Sequence, residues 1–232
     1  MTDQDARKKA MAAVRAMFER QGARQPADTY IALYLLACQQ EINSEKYHRI
    51  AATRPSGHLD FDHEVMKSVK LIDAGPEGSV VYELLITPSF SNLNDVMHGG
   101  AAGVIFGMHP TLYFSVYVHN HSPLPLASPG FWEFMGGVTR TLNISYLKAV
   151  PIGTTVRINS VVMQAGKTMA MIRAEMTSVD GKVIYCTCEH HKVNVPSQAK
   201  HLAVRIPWDE EQEAAKKAAR KANEKVNQTA KL

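Results

Sequence analysis

Between residues 139 and 193 apolar and polar residues alternate with period two, the mark of strands with one buried face. In Thr139 to Leu147, Leu142, Ile144 and Tyr146 alternate with Thr141, Asn143 and Ser145. Thr155 to Met163 places Val156, Ile158 and Val162 on one face, and Met169 to Thr177 does the same with Ala170, Ile172, Ala174 and Met176. Gln164-Ala165-Gly166-Lys167 joins that pair, and Asp180-Gly181 turns into a last strand, Lys182 to Val193. The pattern predicts four strands here in a meander. Upstream, Val65 to Ile72 and Val80 to Ile86 read as a further pair across Gly75-Pro76-Glu77-Gly78. Between the two sets lies Gly99 to Val118, apolar nearly all round, which predicts a buried helix. Two strands, a helix and four strands put one helix against one face of an antiparallel sheet, an α+β class.

The flanks follow another rule. Ala6 to Glu19 and Thr29 to Ile42 carry apolar residues at spacings of three and four, and predict two helices broken at Gly22 to Pro26. Trp208 to Lys231 is rich in Ala, Lys and Glu and reads as a solvated helical tail. The expected organisation is therefore an N-terminal helical extension over 1–58, a core domain over 59–196 and a C-terminal tail over 197–232.

Composition narrows the function. With 232 residues, 45% of them hydrophobic, the chain can bury a real core. Lys and Arg number 26 against 22 Asp and Glu, and the net +4 is spread along the chain, so nucleic acid is not an expected partner. No run of ~18 apolar residues predicts a membrane span, and the first twenty residues have no apolar signal core. Three cysteines, Cys38, Cys186 and Cys188, make an odd number with two of them one residue apart, which points to a reducing, cytoplasmic setting, with the Arg-bearing first twenty residues leaving organelle targeting as the alternative. His119 and His121 have no nearby Cys or Asp to complete a metal site, so no metal is expected.

The chemistry concentrates in Asn92 to Ala102, which ends a strand and opens the predicted helix with His98-Gly99-Gly100. Two glycines there allow a ligand close to the backbone, while first-turn N-H groups and the positive dipole end favour a polarised carbonyl oxygen.

With these motifs the chain resembles the hotdog-fold acyl-CoA thioesterases of the phenylacetate-degradation and 4-hydroxybenzoyl-CoA type. The resemblance runs over roughly residues 60 to 195. Beyond His98-Gly99-Gly100 after Asn92, it rests on Gly137-Val138-Thr139 leading into Leu142 to Leu147, on Pro151 and Gly153, and on Gly166-Lys167-Thr168. It implies a curved antiparallel sheet wrapped around a central helix, with subunits paired as a dimer or a dimer of dimers and active sites at the dimer interface. The substrate it implies is an acyl or aromatic thioester of coenzyme A or a carrier protein. No cofactor is implied beyond the coenzyme A of the substrate.

By resemblance, Asn92 orients water or the thioester, Gly99 N-H faces the thioester carbonyl, and His98 is a structural cap or a carbonyl contact. Thr139 and Thr111 match Ser or Thr positions of two family branches, each with a plain strand or helix role as its alternative. Gly100 would adjoin the substrate. Gly166, Lys167 and Thr168 would lie near the nucleotide end of coenzyme A, or form only a hairpin turn.

One position departs. In the resembled enzymes a carboxylate stands nine residues after the motif histidine, as base or nucleophile; here it is Gly107. His109, the nearest titratable residue, lies about 200° around an ideal helix from position 107. Gly107 and Pro110 predict a kink that would re-aim His109; without one, His109 is a buried structural residue. The expectation is thus a thioesterase-like hydrolase with its base unassigned. The alternatives are a hotdog protein that binds a ligand or catalyses dehydration or cyclisation, and a scaffold assembling through its helical tails.

Overall fold

A computed structural model of the chain describes residues 3–21, 61–75, 78–107, 137–196, 210, 214, 217 and 218. The expectations for Thr29 to Ile42, for 108–136 and for most of the C-terminal tail lie outside them.

Helix α1 (Asp3–Gln21) leads. A short α2 (His63–Ser68) follows, then β1 (Lys70–Gly75) and β2 (Ser79–Leu85). Helix α3 is described from 99 to 107. Strands β3 (Val138–Tyr146), β4 (Thr155–Ala165), β5 (Met169–Ser178) and β6 (Ile184–Val193) complete the order. All pairings are antiparallel, in one six-stranded sheet ordered β1-β2-β4-β5-β6-β3.

Two expectations are corrected. Val65 to Ile72 is not one strand: its first part is helical, because Val65, Met66 and Val69 are all buried, and Val65 and Val69 lie one turn apart on one face. Nor do the last four strands form a meander. Only β4, β5 and β6 do; β3 crosses to the free side of β6, and β2 takes the place beside β4. Among the described residues that crossing makes β3 an edge.

The register arranges the inner face in transverse rows. Tyr82, Ile158, Met176, Cys186 and Tyr146 form the first, and Val80, Ser160, Ala174, Cys188 and Ile144 the second. Val162, Ile172, His190 and Leu142 form the third, and Ala165, Ala170, Lys192 and Thr139 the fourth. Ala102, Ile105 and Phe106 of α3 are fully buried in the same core as these rows. The architecture is α+β, a hotdog fold.

Helix α1 joins that core instead of standing apart. Ala10, Ala13 and Val14, spaced three and four apart, are fully buried within it, and Arg7 Nη1 pairs with Asp73 Oδ2 of β1 at 2.8 Å.

Candidate active site

The start of α3 is fixed from both sides before the helix begins. Asn92 N-H donates to the Val96 carbonyl (2.9 Å), and the Asn92 side-chain oxygen accepts from Asn94 N-H (2.8 Å). This Asx turn is closed by Asp95 at φ 55°. Met97 N-H then donates to Val150 and His98 N-H to Phe90, at 2.8 and 2.7 Å. Asn92 thereby commits its carboxamide oxygen to the turn, which leaves its NH2 as the group it can offer a ligand.

The two glycines behave differently. Gly100 N-H donates to His98 Nδ1 at 2.8 Å, so the exposed histidine acts as a cap and the Gly100 amide is occupied. Gly99 N-H has no acceptor among the described residues. Its carbonyl accepts from the Tyr146 hydroxyl at 2.8 Å, and a Cβ at Gly99 would stand 3.3 Å from two atoms of that side chain. Tyr146 thus fills the space of the missing side chain and ties β3 to the helix entrance. Burial, then the Cys186 and Cys188 thiols, push its pKa up, so the phenol remains a donor. One unspent backbone N-H at a helix start is chemically a donor for a carbonyl oxygen that gains charge.

Thr139 lies at the other end of the sheet. Tyr146 belongs to the first inner row and Thr139 to the fourth; Cys186 and Lys192 mark the same rows on β6, six residues or roughly 20 Å apart. Within one chain, Thr139 and Gly99 therefore do not meet. Thr139 Oγ1 instead lies 2.8 Å from His190 Nε2, and His190 is fully buried. Burial drives the imidazole pKa down to about 3, with the neighbouring Lys192 charge adding to it and the Phe106 main chain opposing it. His190 is neutral at physiological pH. Lys192, 1% exposed, is pushed down to about 7 by burial. Gly107 follows Phe106 in α3, and no described atom lies within 4 Å of where its Cβ would stand.

The same end carries the β4-β5 hairpin. Gly166 N-H closes it on the Met169 carbonyl at 2.8 Å, while the carbonyls of Thr168 and Lys167 accept from Asn194 at 2.9 and 3.4 Å. The Lys167 and Thr168 side chains are exposed. The structure therefore groups Asn92, His98, Gly99 and Gly100 at one end, and Gly107, Thr139 and Gly166 to Thr168 at the other. His109 and Thr111 lie outside the described residues.

Sequence reasoning missed His190, Lys192 and Tyr146 as site neighbours. A signal existed for the first two: the alternation that puts Cys186 and Cys188 on one face of β6 continues to 190 and 192. The cysteines themselves are buried free thiols whose pKa values are raised to about 11 and about 12, chiefly by burial, so they are core residues without nucleophilic character. Among the described residues no cluster of His, Cys, Asp or Glu could hold a metal ion, and no helix is long and apolar enough to cross a membrane.

Comparison with known proteins bears on this arrangement. No curated protein matches the chain. Among solved structures, zebra fish thioesterase superfamily member 2 is 21% identical with a TM-score of 0.48, covering 60% of this chain and 90% of its own. The Escherichia coli PaaI protein from the phenylacetic acid degradation operon is 14% identical with a TM-score of 0.49, covering 83% and 98%. A hypothetical thioesterase protein from Streptococcus pneumoniae TIGR4, solved with coenzyme A, is 18% identical with a TM-score of 0.45, covering 56% and 88%. The thioesterase superfamily model matches residues 127–185, from before β3 through the start of β6. Over that segment of 59 residues the chain is similar to the thioesterase superfamily.

Proposed function

We propose that the protein is a cytoplasmic thioester hydrolase acting on an acyl or aromatic thioester of coenzyme A or a carrier protein. The observation that carries this is the unspent Gly99 N-H at the entrance of α3, on a chain whose β3-to-β6 segment matches the thioesterase superfamily. That amide would receive the thioester oxygen as the carbon becomes tetrahedral, a contribution of ~3 to 4 kcal/mol.

The separation of Thr139 from Gly99 gives the proposed site its assembly. Among the described residues strand β3 pairs on one side only, with β6. A second copy laid antiparallel along the open edge, with its two-fold axis near Leu142, brings Thr139 of one subunit beside Gly99 of the partner subunit. Each site of such a dimer takes Asn92 and Gly99 from one chain, and Thr139 with the exposed Lys167 hairpin from the other. A lysine at that place suits the phosphates of coenzyme A.

The test is thiol release from a panel of acyl-CoA and aroyl-CoA thioesters. Gly99→Pro deletes the N-H at a helix position that tolerates proline, and is expected to lower kcat by about 100- to 1000-fold relative to Gly99→Ala, which meets Tyr146 in the same way but keeps the N-H. A panel that yields no thiol with the wild-type chain refutes the hydrolase.

A second reading, a hotdog protein that binds its ligand without hydrolysis or catalyses a dehydration or cyclisation, is favoured by Gly107, which puts no proton acceptor where the resembled enzymes carry a carboxylate. Gly107→Asp separates the two. A large gain in thiol release marks a hydrolytic site lacking only its base, and an unchanged rate marks a site built for another reaction.

A further inference from the structure

The inner face of the sheet is apolar in its first row apart from the Tyr82 and Tyr146 hydroxyls, and becomes polar toward the fourth, where Thr139, His190 and Lys192 gather beyond Phe106. His190 is the member that fold stability does not explain. Its side chain is fully buried, yet Nδ1 has no hydrogen-bond partner among the described residues, and Nε2 reaches the hydroxyl of an exposed residue on the edge strand. A leucine would cost less there, because burying an imidazole forfeits solvation that a main-chain contact at Phe106, too poor in geometry to count as a full hydrogen bond, and a bond to an exposed hydroxyl restore only in part. Among the described residues the ring's side-chain hydrogen bond runs outward, to Thr139, the threonine that by resemblance holds water.

We infer that His190 is a positioning residue: with its ring proton on Nδ1, on the side of the Phe106 main chain, its Nε2 accepts the Thr139 O-H. The Thr139 oxygen then turns both lone pairs outward to hold the water that attacks the thioester. The inference rests on the hydrolase proposed above and deepens it. Gly107 leaves that water without the carboxylate of the resembled enzymes, so among the described residues a fixed hydroxyl acceptor is what remains at this end to orient it. The ring works by geometry, since an imidazole this resistant to protonation does not shuttle protons near neutral pH. No bond to Thr139 is made or broken. Its oxygen accepts one proton of the water as a hydrogen bond, and the water's own lone pair faces the carbonyl carbon; as the C–O bond forms and the C–S bond breaks, the proton the water loses passes to solvent and the departing thiolate takes one up from it.

Two measurements test it. The first is a double-mutant cycle on thiol release. His190→Phe and Thr139→Val are each expected to lower kcat by about 10- to 100-fold with KM changed less than about twofold. His190→Gln, whose amide oxygen falls near the Nε2 position, should restore most of the loss. The double variant should be no slower than either single variant, because both remove one orientation. Multiplying effects in the double variant, or a loss confined to KM, would overturn the inference.

The second needs no turnover. Side-chain 15N NMR of the wild-type protein should show His190 as a neutral ring protonated at Nδ1 and bare at Nε2 throughout pH 6 to 8, with a slowly exchanging Thr139 hydroxyl proton that disappears in His190→Phe. A ring protonated at Nε2 or at both nitrogens refutes the arrangement. Should no thioester release thiol, the hydrolase falls on that result, and the orientation of Thr139 by His190 is still decided by the NMR spectrum.

Discussion

Lys192→Met is expected to stabilise the protein and to remove most of its pH dependence between pH 7 and 9. The Lys192 side chain is 1% exposed, and burial brings its pKa from 10.5 to about 7. At about 1.4 kcal/mol per pH unit, that gap corresponds to a penalty of about 5 kcal/mol at and below neutral pH, comparable with the whole stability of many domains. The sign follows from proton counting. Between about pH 7 and 10.5 the unfolded chain keeps the lysine proton that the folded chain has released, so stability rises with pH across that window and is flat below it. The other buried groups titrate elsewhere. His190, lowered to about 3 from 6.5, costs stability only as pH falls below about 6.5, and the cysteines, raised to about 11 and 12 from 9.0, erode it above about 9. Urea unfolding followed by circular dichroism at pH 7, 8 and 9 should therefore show the wild type gaining about 2 to 3 kcal/mol while Lys192→Met stays level. Methionine keeps the apolar stem, so packing changes little. Parallel pH profiles for the two proteins would refute the reasoning.

Gly99→Ala sets a methyl 3.3 Å from the Tyr146 side chain; displacing it should break the 2.8 Å bond to the Gly99 carbonyl and cost about 1 kcal/mol, as should Tyr146→Phe alone, while the double variant costs less than the sum, all read by urea unfolding. Ile158→Ala, in the centre of the first inner row, should cost about 2 to 5 kcal/mol by the same measurement, and a loss below 1 kcal/mol would mean that the helix does not close over β4 there. Cys186 and Cys188 should resist a thiol reagent at pH 8 in the folded protein and react at once in urea, as mass spectrometry of the labelled peptides would show.

β4, β5 and β6 were legible because each buries one face and so writes its period into the chain, while β3 alternates with its inner residues only half-buried or exposed. Val156, Ile158 and Val162, and Ala170 to Met176, are buried as their alternation requires. The stretch around Val65 was not legible, since residues 65, 66 and 69 satisfy a helix face and a short strand alike. Pairing was less legible still. That β3 joins β6 across forty residues of sequence depends on long-range packing, which no local pattern records. At the site, the helix-entrance glycines could be read from the sequence, and the missing carboxylate only through the family resemblance. His190 and Lys192 were missed although the β6 alternation carries them onto the inner face, because a polar residue on a strand is ordinarily expected to face water.

The roughly 20 Å that separate the first inner row from the fourth also bear on how activity scales with the amount of protein. A chain whose helix entrance and threonine stand so far apart cannot complete a turnover alone in the proposed arrangement. Specific activity should then fall on dilution below the dissociation constant of the pair, and mixing Gly99→Pro with Thr139→Val chains should bring back up to about a quarter of the wild-type rate, through hybrids that each hold one intact site.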